Sequence, residues 1–339
     1  MKCTIQNIAD HLGLSRNTVS KALKNSSEVS ENTRNLVIKT ASKLGYKNAT
    51  FATPVIPASE TGSNGTILFL TRTYASDSEF WTTVLRGIES ILSNANYHLA
   101  ISIMSDSDLK QLNFPQTISD SSIKGIILVE ICDKVVCDAL SQFNLPIVSV
   151  DMPNVPFEEL NGIDVVTMES KKNLKKIINQ LIEKGAESFG FVGDLYSPNV
   201  SRGFQERYNA LSECLAEHQL PLNQKNCLLH QTPEDFRNFQ TTVNNLQAMI
   251  SLPDVFICGN DWTAIQLIYA LQFLGFQIPK DICVVGFDNI PAASRISPSL
   301  TTISTPQKYL GIAAARQILE RIQHPNCPHV FCQYETELI

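Results

Sequence analysis

The chain has 339 residues, of which 43% are hydrophobic and 18% charged, so it is globular and too long for one hydrophobic core. Its longest apolar runs, such as Gly125–Val129 and Ile282–Phe287, fall far short of a membrane span of about 20 residues, which sets aside membrane, collagenous and wholly disordered classes. A net charge of −6 argues, taken alone, against nucleic acid.

The charge is unevenly placed. Residues 1–48 carry eight basic against three acidic side chains, or +5, and the other 291 residues sum to −11. A small basic head therefore precedes a large acidic body. The start, MKCTIQNIADHLG, has no long apolar stretch and is not expected to be a signal peptide. Nine cysteines, an odd number without a Cys-x-x-Cys pair, fit neither a disulfide framework nor a zinc site. They read as reduced, mostly buried thiols of a cytoplasmic protein.

Residues 4–46 read as three helices. Thr4 is placed to cap the first, with Ile5, Ile8, Ala9 and Leu12 at helical spacing. Gly13 stops it. Ser15 caps the second, with Val19, Ala22 and Leu23 inside. Ser30 caps the third, with Leu36, Val37, Ala41 and Leu44 inside and Gly45 at its end. Ala9 allows a close helix crossing, Gly13 the positive φ of a tight turn, and Val19 packs the second helix on the first. That spacing is the one of a helix-turn-helix whose second helix enters the major groove. Arg16, Asn17, Ser20 and Lys21 lie on its outer face. Arg and Lys pair with guanine and Asn with adenine across base edges. Hydroxyls at the helix starts (Thr4, Ser15, Ser30) suit phosphate oxygens. An ordinary three-helix bundle with a solvated basic face would show part of the same pattern.

The stretch TIQNIADHLGLSRNTVSKALKNSSEVSENTRNLVIKTASKLGY resembles the head of the lactose/galactose repressor family. The similarity rests on Ile-Ala-x-x-x-Gly-x-Ser-x-x-Thr-Val-Ser, on Val29-Ser30 and on Leu44-Gly45-Tyr46. It implies that Arg16, Asn17 and Lys21 read bases. It also implies that Thr4, Ser15, Thr18, Ser20, Lys24, Ser30 and Thr33 lie near phosphates of a double-stranded, near-palindromic operator.

Residues 49–65 change composition towards Pro, Ala, Ser, Thr, Gly and Asn, a linker signal. The resembled family has there a hinge helix that wedges a leucine into the minor groove, a device that kinks DNA. This chain has Ala52 and Val55 but no leucine, and Pro54 and Pro57 interrupt the stretch. Interior proline costs a helix about 3 kcal/mol. A hinge helix and an extended tether both stay open.

From Thr66 strands and helices alternate. Strands are expected at Ile67–Thr71, His98–Met104, Gly125–Glu130, Ile147–Val150, Ile163–Val166, Ser188–Gly193, Asp254–Cys258 and Cys283–Gly286. Helices are expected at Phe80–Ala95, Ser170–Lys184, Glu206–His218, Phe236–Met249 and Thr263–Leu274. Unbroken apolar strands between helices indicate an α/β body of parallel sheets covered on both faces. Ligands bind such sheets at strand carboxyl ends, where this chain has Thr71-Arg72, Asp151, Asp194, Gly259-Asn260-Asp261 and Asp288. Carboxylates and amides beside aromatics suit a polyhydroxyl ligand, although a strand-end Asp often serves only as a helix cap.

The body resembles the same family, whose core is like a bacterial sugar-binding (periplasmic-binding) protein. The motifs are Phe80-Trp81 with Leu85-Arg86-Gly87-Ile88-Glu89, Arg207 with Leu220-Pro221, Cys258-Gly-Asn-Asp261, Gly275-Phe-Gln-Ile-Pro279, Val284-Val-Gly-Phe-Asp288 and Pro298-Ser-Leu-Thr-Thr302. The resemblance implies that Asp151, Arg207, Asn260 and Asp288 contact an effector, and that Phe80, Trp81 and Phe236 cover it. Thr305 stands where the family often has glutamine. The implied layout is a helix-turn-helix head at 1–48, a linker at 49–65 and a body at 66–339. The body divides into an N-subdomain at 66–160 and 291–323 and a C-subdomain at 161–290 and 324–339.

The expected function is sequence-specific transcription regulation, in the mode of a repressor of a carbohydrate-utilisation operon. A small sugar or sugar derivative in the cleft would control it, in a cytoplasmic homodimer or tetramer. The alternatives are a body that binds a non-sugar ligand or protein co-regulator, and a sugar-binding module without operator specificity. No metal site, cofactor, catalytic residue or membrane contact is expected: the chain lacks Gly-x-x-x-x-Gly-Lys, Gly-x-Ser-x-Gly and His-Glu-x-x-His motifs.

Overall fold

The computed structural model describes residues 4–23, 29–30, 33–34, 36–37, 40–41, 63–72, 78–195, 201–230 and 238–339. The chain forms two compact units, Met1–Gly62 and Ser63–Ile339. Lys24, Leu44, Gly45, Pro54, Pro57 and Phe236 lie outside the described residues.

In the first unit, α1 (Ile5–Leu12) and α2 (Arg16–Leu23) carry the turn. Thr4 Oγ1 accepts from the Asn7 N–H, and the Asn7 side chain accepts from the Thr4 N–H, closing a capping box. Gly13 ends α1 at φ 63°, where a Cβ would be strained, and Leu14 N–H donates to Ala9 O at 3.0 Å. Ser15 Oγ accepts from Thr18 N–H at 3.0 Å, and Ser30 Oγ from Thr33 N–H at 3.3 Å. Ile8, Ala9, Val19, Ala22, Val29, Val37 and Ala41 form the core. Leu36, expected inside, is 51% exposed, because the third helical segment turns Val37 and Ala41 inward instead.

The second unit holds two parallel sheets. The larger has the order β11-β5-β4-β3-β1-β2, from Phe331–Tyr334, Ile163–Met168, Ile147–Val150, Ile123–Val129, Thr66–Arg72 and His98–Met104. Side chains alternate across it: Ile67, Phe69, Ile127 and Val129 enter one core layer, and Leu68, Leu70, Ile126 and Leu128 the other. Both faces of the central strands are buried, as parallel strands require. On one face pack α3 (Glu79–Asn94) and, later in the chain, α10 (Gln307–Gln323). On the other lie α4 (Asp106–Gln111) and α5 (Lys134–Ser141). The smaller sheet runs β7-β6-β8-β9, from Leu228–His230, Phe189–Asp194, Val255–Cys258 and Cys283–Val285. Its helices are α6 (Lys172–Glu183), α7 (Arg202–Glu217), α8 (Phe239–Ala248) and α9 (Asp261–Phe273). A short antiparallel ribbon joins β10 (Ile303–Ser304) to β12 (Glu337–Leu338).

Three expected boundaries are corrected. Ile163–Met168, assigned above to the C-subdomain, pairs with β4 in the larger sheet. Residues 331–334, assigned likewise, pair with β5. Residues 291–304, assigned to the N-subdomain, lie beside the smaller sheet through the Val285–Thr301 and Asp288–Ser304 bridges. Each crossing between lobes therefore comes later in the chain than expected. A buried apolar strand has the same sequence pattern in either sheet; only pairing assigns it. Ser63–Gly65, read as linker, instead leads into β1, with Asn64 N–H donating to Asn96 O at 2.9 Å.

The late return of β11 has a visible cause. Asp164 is fully buried and takes both Nε and Nη2 of Arg321 at 3.0 and 2.8 Å, the Val330 N–H at 2.8 Å and the Gln317 amide at 3.1 Å. Arg321 also donates to the carbonyls of Cys327 and Pro328. This cluster pins residues 325–330 against β5 and aligns β11 beside it.

Candidate nucleic-acid interface and ligand cleft

The head presents the polar side chains that the sequence singled out. Arg16 and Asn17 are exposed on α2, with Ser20 and Lys21 half-buried beside them. Thr4, Ser15 and Ser30 are exposed, and Thr18 and Thr33 half-buried. The hydroxyls at 4, 15 and 30 accept backbone N–H groups of their own helices. Each therefore fixes a helix start, and a helix start is where backbone N–H groups point at an anion.

In the body, the carboxyl ends of both sheets open on a cavity of about 360 Å³. Ser78, Phe80, Trp81, Glu130, Asp151 and Met168 come from the larger lobe. Asp194, Ser201, Phe204, Arg207, Asn260, Trp262 and Asp288 come from the smaller one and its crossover. Six of the seven expected effector residues are thus gathered in one place.

Arg207 anchors the floor. It projects from the second turn of α7, which Ser201 caps by accepting the Phe204 N–H at 3.2 Å. Its Nη1 donates to Gly259 O at 2.6 Å, and its guanidinium stacks 3.7 Å from the Phe287 ring centre. A side chain at 259 would collide with the Phe204 ring, at 2.3 Å from a built Cβ, so glycine there is required by close approach. The buried Arg207 Nε has no protein acceptor, which leaves a donor for a ligand oxygen. Burial pulls the Arg207 pKa down, and Asp288 and Asp151 oppose this.

The two aspartates sit in left-handed backbone, φ 74° at Asp151 and 122° at Asp288. Asp151 Oδ1 accepts the Met152 N–H at 2.8 Å. Burial raises its pKa, against the pull of Met152 N–H and Arg207. Burial pushes Asp288 well above the carboxylate range; Arg207 lowers it, and Asp261 and Asp151 raise it further. The Asp288 carbonyl accepts from Gln307 Nε2 at 2.7 Å and Thr305 Oγ1 at 3.2 Å. Gln307 thus supplies, two residues on, a carboxamide contact where Thr305 has only a hydroxyl. Asn260 is both cap and lining: Oδ1 accepts the Thr263 N–H at 2.9 Å, which turns its NH₂ end elsewhere. Asp261 beside it is wholly structural, accepting from Thr302 Oγ1 at 2.5 Å and Ile290 N–H at 2.9 Å.

Phe80 and Trp81 meet edge to face at 4.6 Å. Arg72, at a strand end, pairs instead with Asp106 at 2.7 Å. The sequence reading missed Ser78, Glu130, Met168, Ser201, Phe204 and Trp262. Trp262 and Phe204 carried a usable signal, each lying within three residues of an expected contact; Glu130, at the end of a strand, shared the signal that singled out Asp151. Arg207 donors, carboxylate and carboxamide acceptors and facing aromatic rings make a site for a small polar ligand between two lobes. Among the described residues no group of three or more His, Cys, Asp or Glu could hold a metal ion, and no helix is long and apolar enough to cross a membrane.

A helix-turn-helix unit joined to a two-lobed ligand-binding body defines a ligand-responsive DNA-binding regulator. Residues 4–48 match the family of bacterial regulatory proteins, lacI family, and residues 178–339 match the periplasmic binding protein-like domain. A lacI-type head and a periplasmic-binding-protein-like body together make the architecture of lacI-family transcription regulators. It is 27% identical to the ribose operon repressor of Haemophilus influenzae, over 95% of this chain and 93% of that one. A lacI-family regulator from Enterococcus faecium with bound ribose shares the fold at a TM-score of 0.65, with 24% identity over 81% of this chain and 96% of that one. The lac repressor dimer bound to operator and an anti-inducer does so at 0.66, with 18% identity over 100% and 98%.

Proposed function

We propose that this protein is a homodimeric, cytoplasmic repressor of a carbohydrate-utilisation operon. In this reading Arg16, Asn17 and Lys21 read a near-palindromic operator, and a carbohydrate between the two lobes sets DNA affinity. The observation that carries it is the convergence of Phe80, Trp81, Asp151, Arg207, Asn260 and Asp288 on one cavity, in a chain that also bears the exposed Arg16-Asn17 pair. A carboxylate accepts paired sugar hydroxyls, a guanidinium donates to ring or hydroxyl oxygens, and aromatic faces stack on C–H surfaces. The named ligand of the Enterococcus faecium relative supports a sugar. The lac repressor dimer supports twofold assembly, as do apolar side chains left exposed on β2 (Ile101, Ile103) and on α8 and α9 (Phe239, Tyr269, Phe273).

Ligand that binds one arrangement of the lobes better than the other shifts their equilibrium. A gel shift with the protein's own promoter region tests the reading. A shifted band that Arg16→Ala abolishes, with helicity unchanged, supports it. Equal affinity for scrambled DNA of the same length overturns it.

A further inference from the structure

The start of α7 carries three cavity residues, Ser201, Phe204 and Arg207. It is also a place where the smaller lobe touches the larger. The Arg202 N–H donates to Met152 O at 2.9 Å, and Ser201 forms an isolated antiparallel bridge with Pro153. Met152 follows Asp151 beyond the end of β4. Backbone beside a cavity aspartate is thus joined to backbone at the root of the helix that bears the cavity arginine.

One backbone hydrogen bond and one bridge make a pivot, and a pivot alone leaves the angle between the lobes free. The Arg202 side chain adds a second point of contact. Its Nε donates to Glu206 Oε1 at 2.8 Å within α7. Its guanidinium carbon lies 5.2 Å from the centre of the Phe331 ring, and Nη1 lies 3.9 Å from Met152 Sδ. Phe331 stands on β11 and packs against Phe157 at 5.5 Å, both in the larger lobe. The Asp164 and Arg321 cluster holds β11 in place, so the ring is a fixed platform. One side chain of the smaller lobe therefore rests on two separate segments of the larger. An aromatic face attracts a guanidinium, and the Glu206 bond orders that guanidinium beforehand, which reduces the entropy lost on contact. Arg202 and Phe331 are both half-buried, so water screens the contact only in part.

We infer that Arg202 is a positioning residue for the cleft: resting on Phe331 and Met152, it holds the start of α7, and with it Arg207, against the larger lobe. Part of the energy of lobe closure then comes from the protein itself. A ligand that touches Asp151 and Arg207 together needs both lobes close, and it binds more tightly when that arrangement is already populated. The inference concerns closure around any ligand between the lobes, so its failure leaves the carbohydrate reading untouched.

The chain has two tryptophans, Trp81 on α3 and Trp262 on α9, one in each lobe and both lining the cavity. Acrylamide quenching of their fluorescence in the full-length protein, with no sugar added, reads how open the cleft is. Arg202→Ala should move the closed-to-open ratio roughly fivefold towards open, the scale of one cation–aromatic contact, and so raise the quenching constant. Phe331→Leu, which alters only the larger lobe, should raise it to the same extent, and the double variant no further. Phe331→Tyr, which keeps the ring, should match the parent. Circular dichroism and melting curves establish that each variant is folded. A role confined to the stability of α7 would lower the melting temperature of Arg202→Ala and leave quenching unchanged. Parent-like quenching in the two folded single variants overturns the inference, as does additivity in the double variant or a Phe331→Tyr protein that quenches like Phe331→Leu. If Arg202→Ala fails to fold, the Leu and Tyr variants at 331 decide by themselves.

Discussion

At the scale of single residues, two buried aspartates oppose each other in what they do to stability. Asp164 is ionised and satisfied: burial resists its charge, but Arg321, the Val330 N–H and Gln317 outweigh this and hold its pKa below the usual value. A lowered folded pKa contributes stability above the unfolded value, and that stability is lost as pH falls through the folded value. Asp164→Asn should destabilise the body by about 3 kcal/mol at neutral pH, since it leaves Arg321 buried without its partner. The gap to the parent protein should narrow in acid melts. Asp288 is the reverse. Its raised folded pKa means the native state holds its proton more tightly than the unfolded chain does. Stability is therefore lost as pH rises from the unfolded value to the folded one. Asp288→Asn should raise the melting temperature of the ligand-free protein at neutral pH and abolish any sugar-induced shift. A variant less stable than its parent, or still responsive to sugar, would contradict the assignment. On the proposed reading, the protein keeps this unfavourably buried carboxyl because a ligand hydroxyl uses its oxygens.

At the scale of elements, the larger lobe depends on how closely α3 and α10 cross. A Cβ at Gly311 would lie 2.0 Å from Val84 O, and one at Gly87 2.2 Å from Lys308 O. Both obstacles are backbone, so neither can swing aside. Gly311→Ala should cost about 3 kcal/mol, at the upper end of overpacking effects, read as a lower urea midpoint. In the head, Ser15 carries the start of the recognition helix through the Thr18 N–H. Ser15→Ala should cost the head about 1 kcal/mol. It should also weaken operator binding, whereas a cap with no part in DNA contact would change only the melting curve.

At the scale of the whole molecule, charge segregation decides how DNA is held. The +5 of residues 1–48 would be doubled in the proposed dimer, and the −11 of the remainder repels the phosphate backbone. If each of two heads neutralises about four phosphates, log K should fall against log salt with a slope near −7. Filter binding at several salt concentrations measures it, and a slope near zero would remove the electrostatic role assigned to the head.

Much of this was legible in the chain itself. The Ala9, Gly13 and Val19 spacing, the caps at Thr4, Ser15 and Ser30, the alternation of apolar strands with helices and the strand-end cleft residues Asp151, Asn260 and Asp288 follow from local rules, whereas Phe80, Trp81 and Arg207 came from the family resemblance. Period, capping and turn chemistry are properties of neighbouring residues. The 17-residue helix Gln307–Gln323 went unread, because its small residues Gly311, Ala313, Ala314 and Ala315 carry little apolar contrast. So did the late crossings between lobes and the inward reach of Glu130 and Trp262. Which sheet β5 and β11 join depends on Asp164 meeting Arg321, 157 residues away. What faces the cavity depends on both lobes at once. Sequence determined the class of protein, since its signals are local; tertiary structure decided the lobes and the lining of the cleft, since those arise only where distant segments meet.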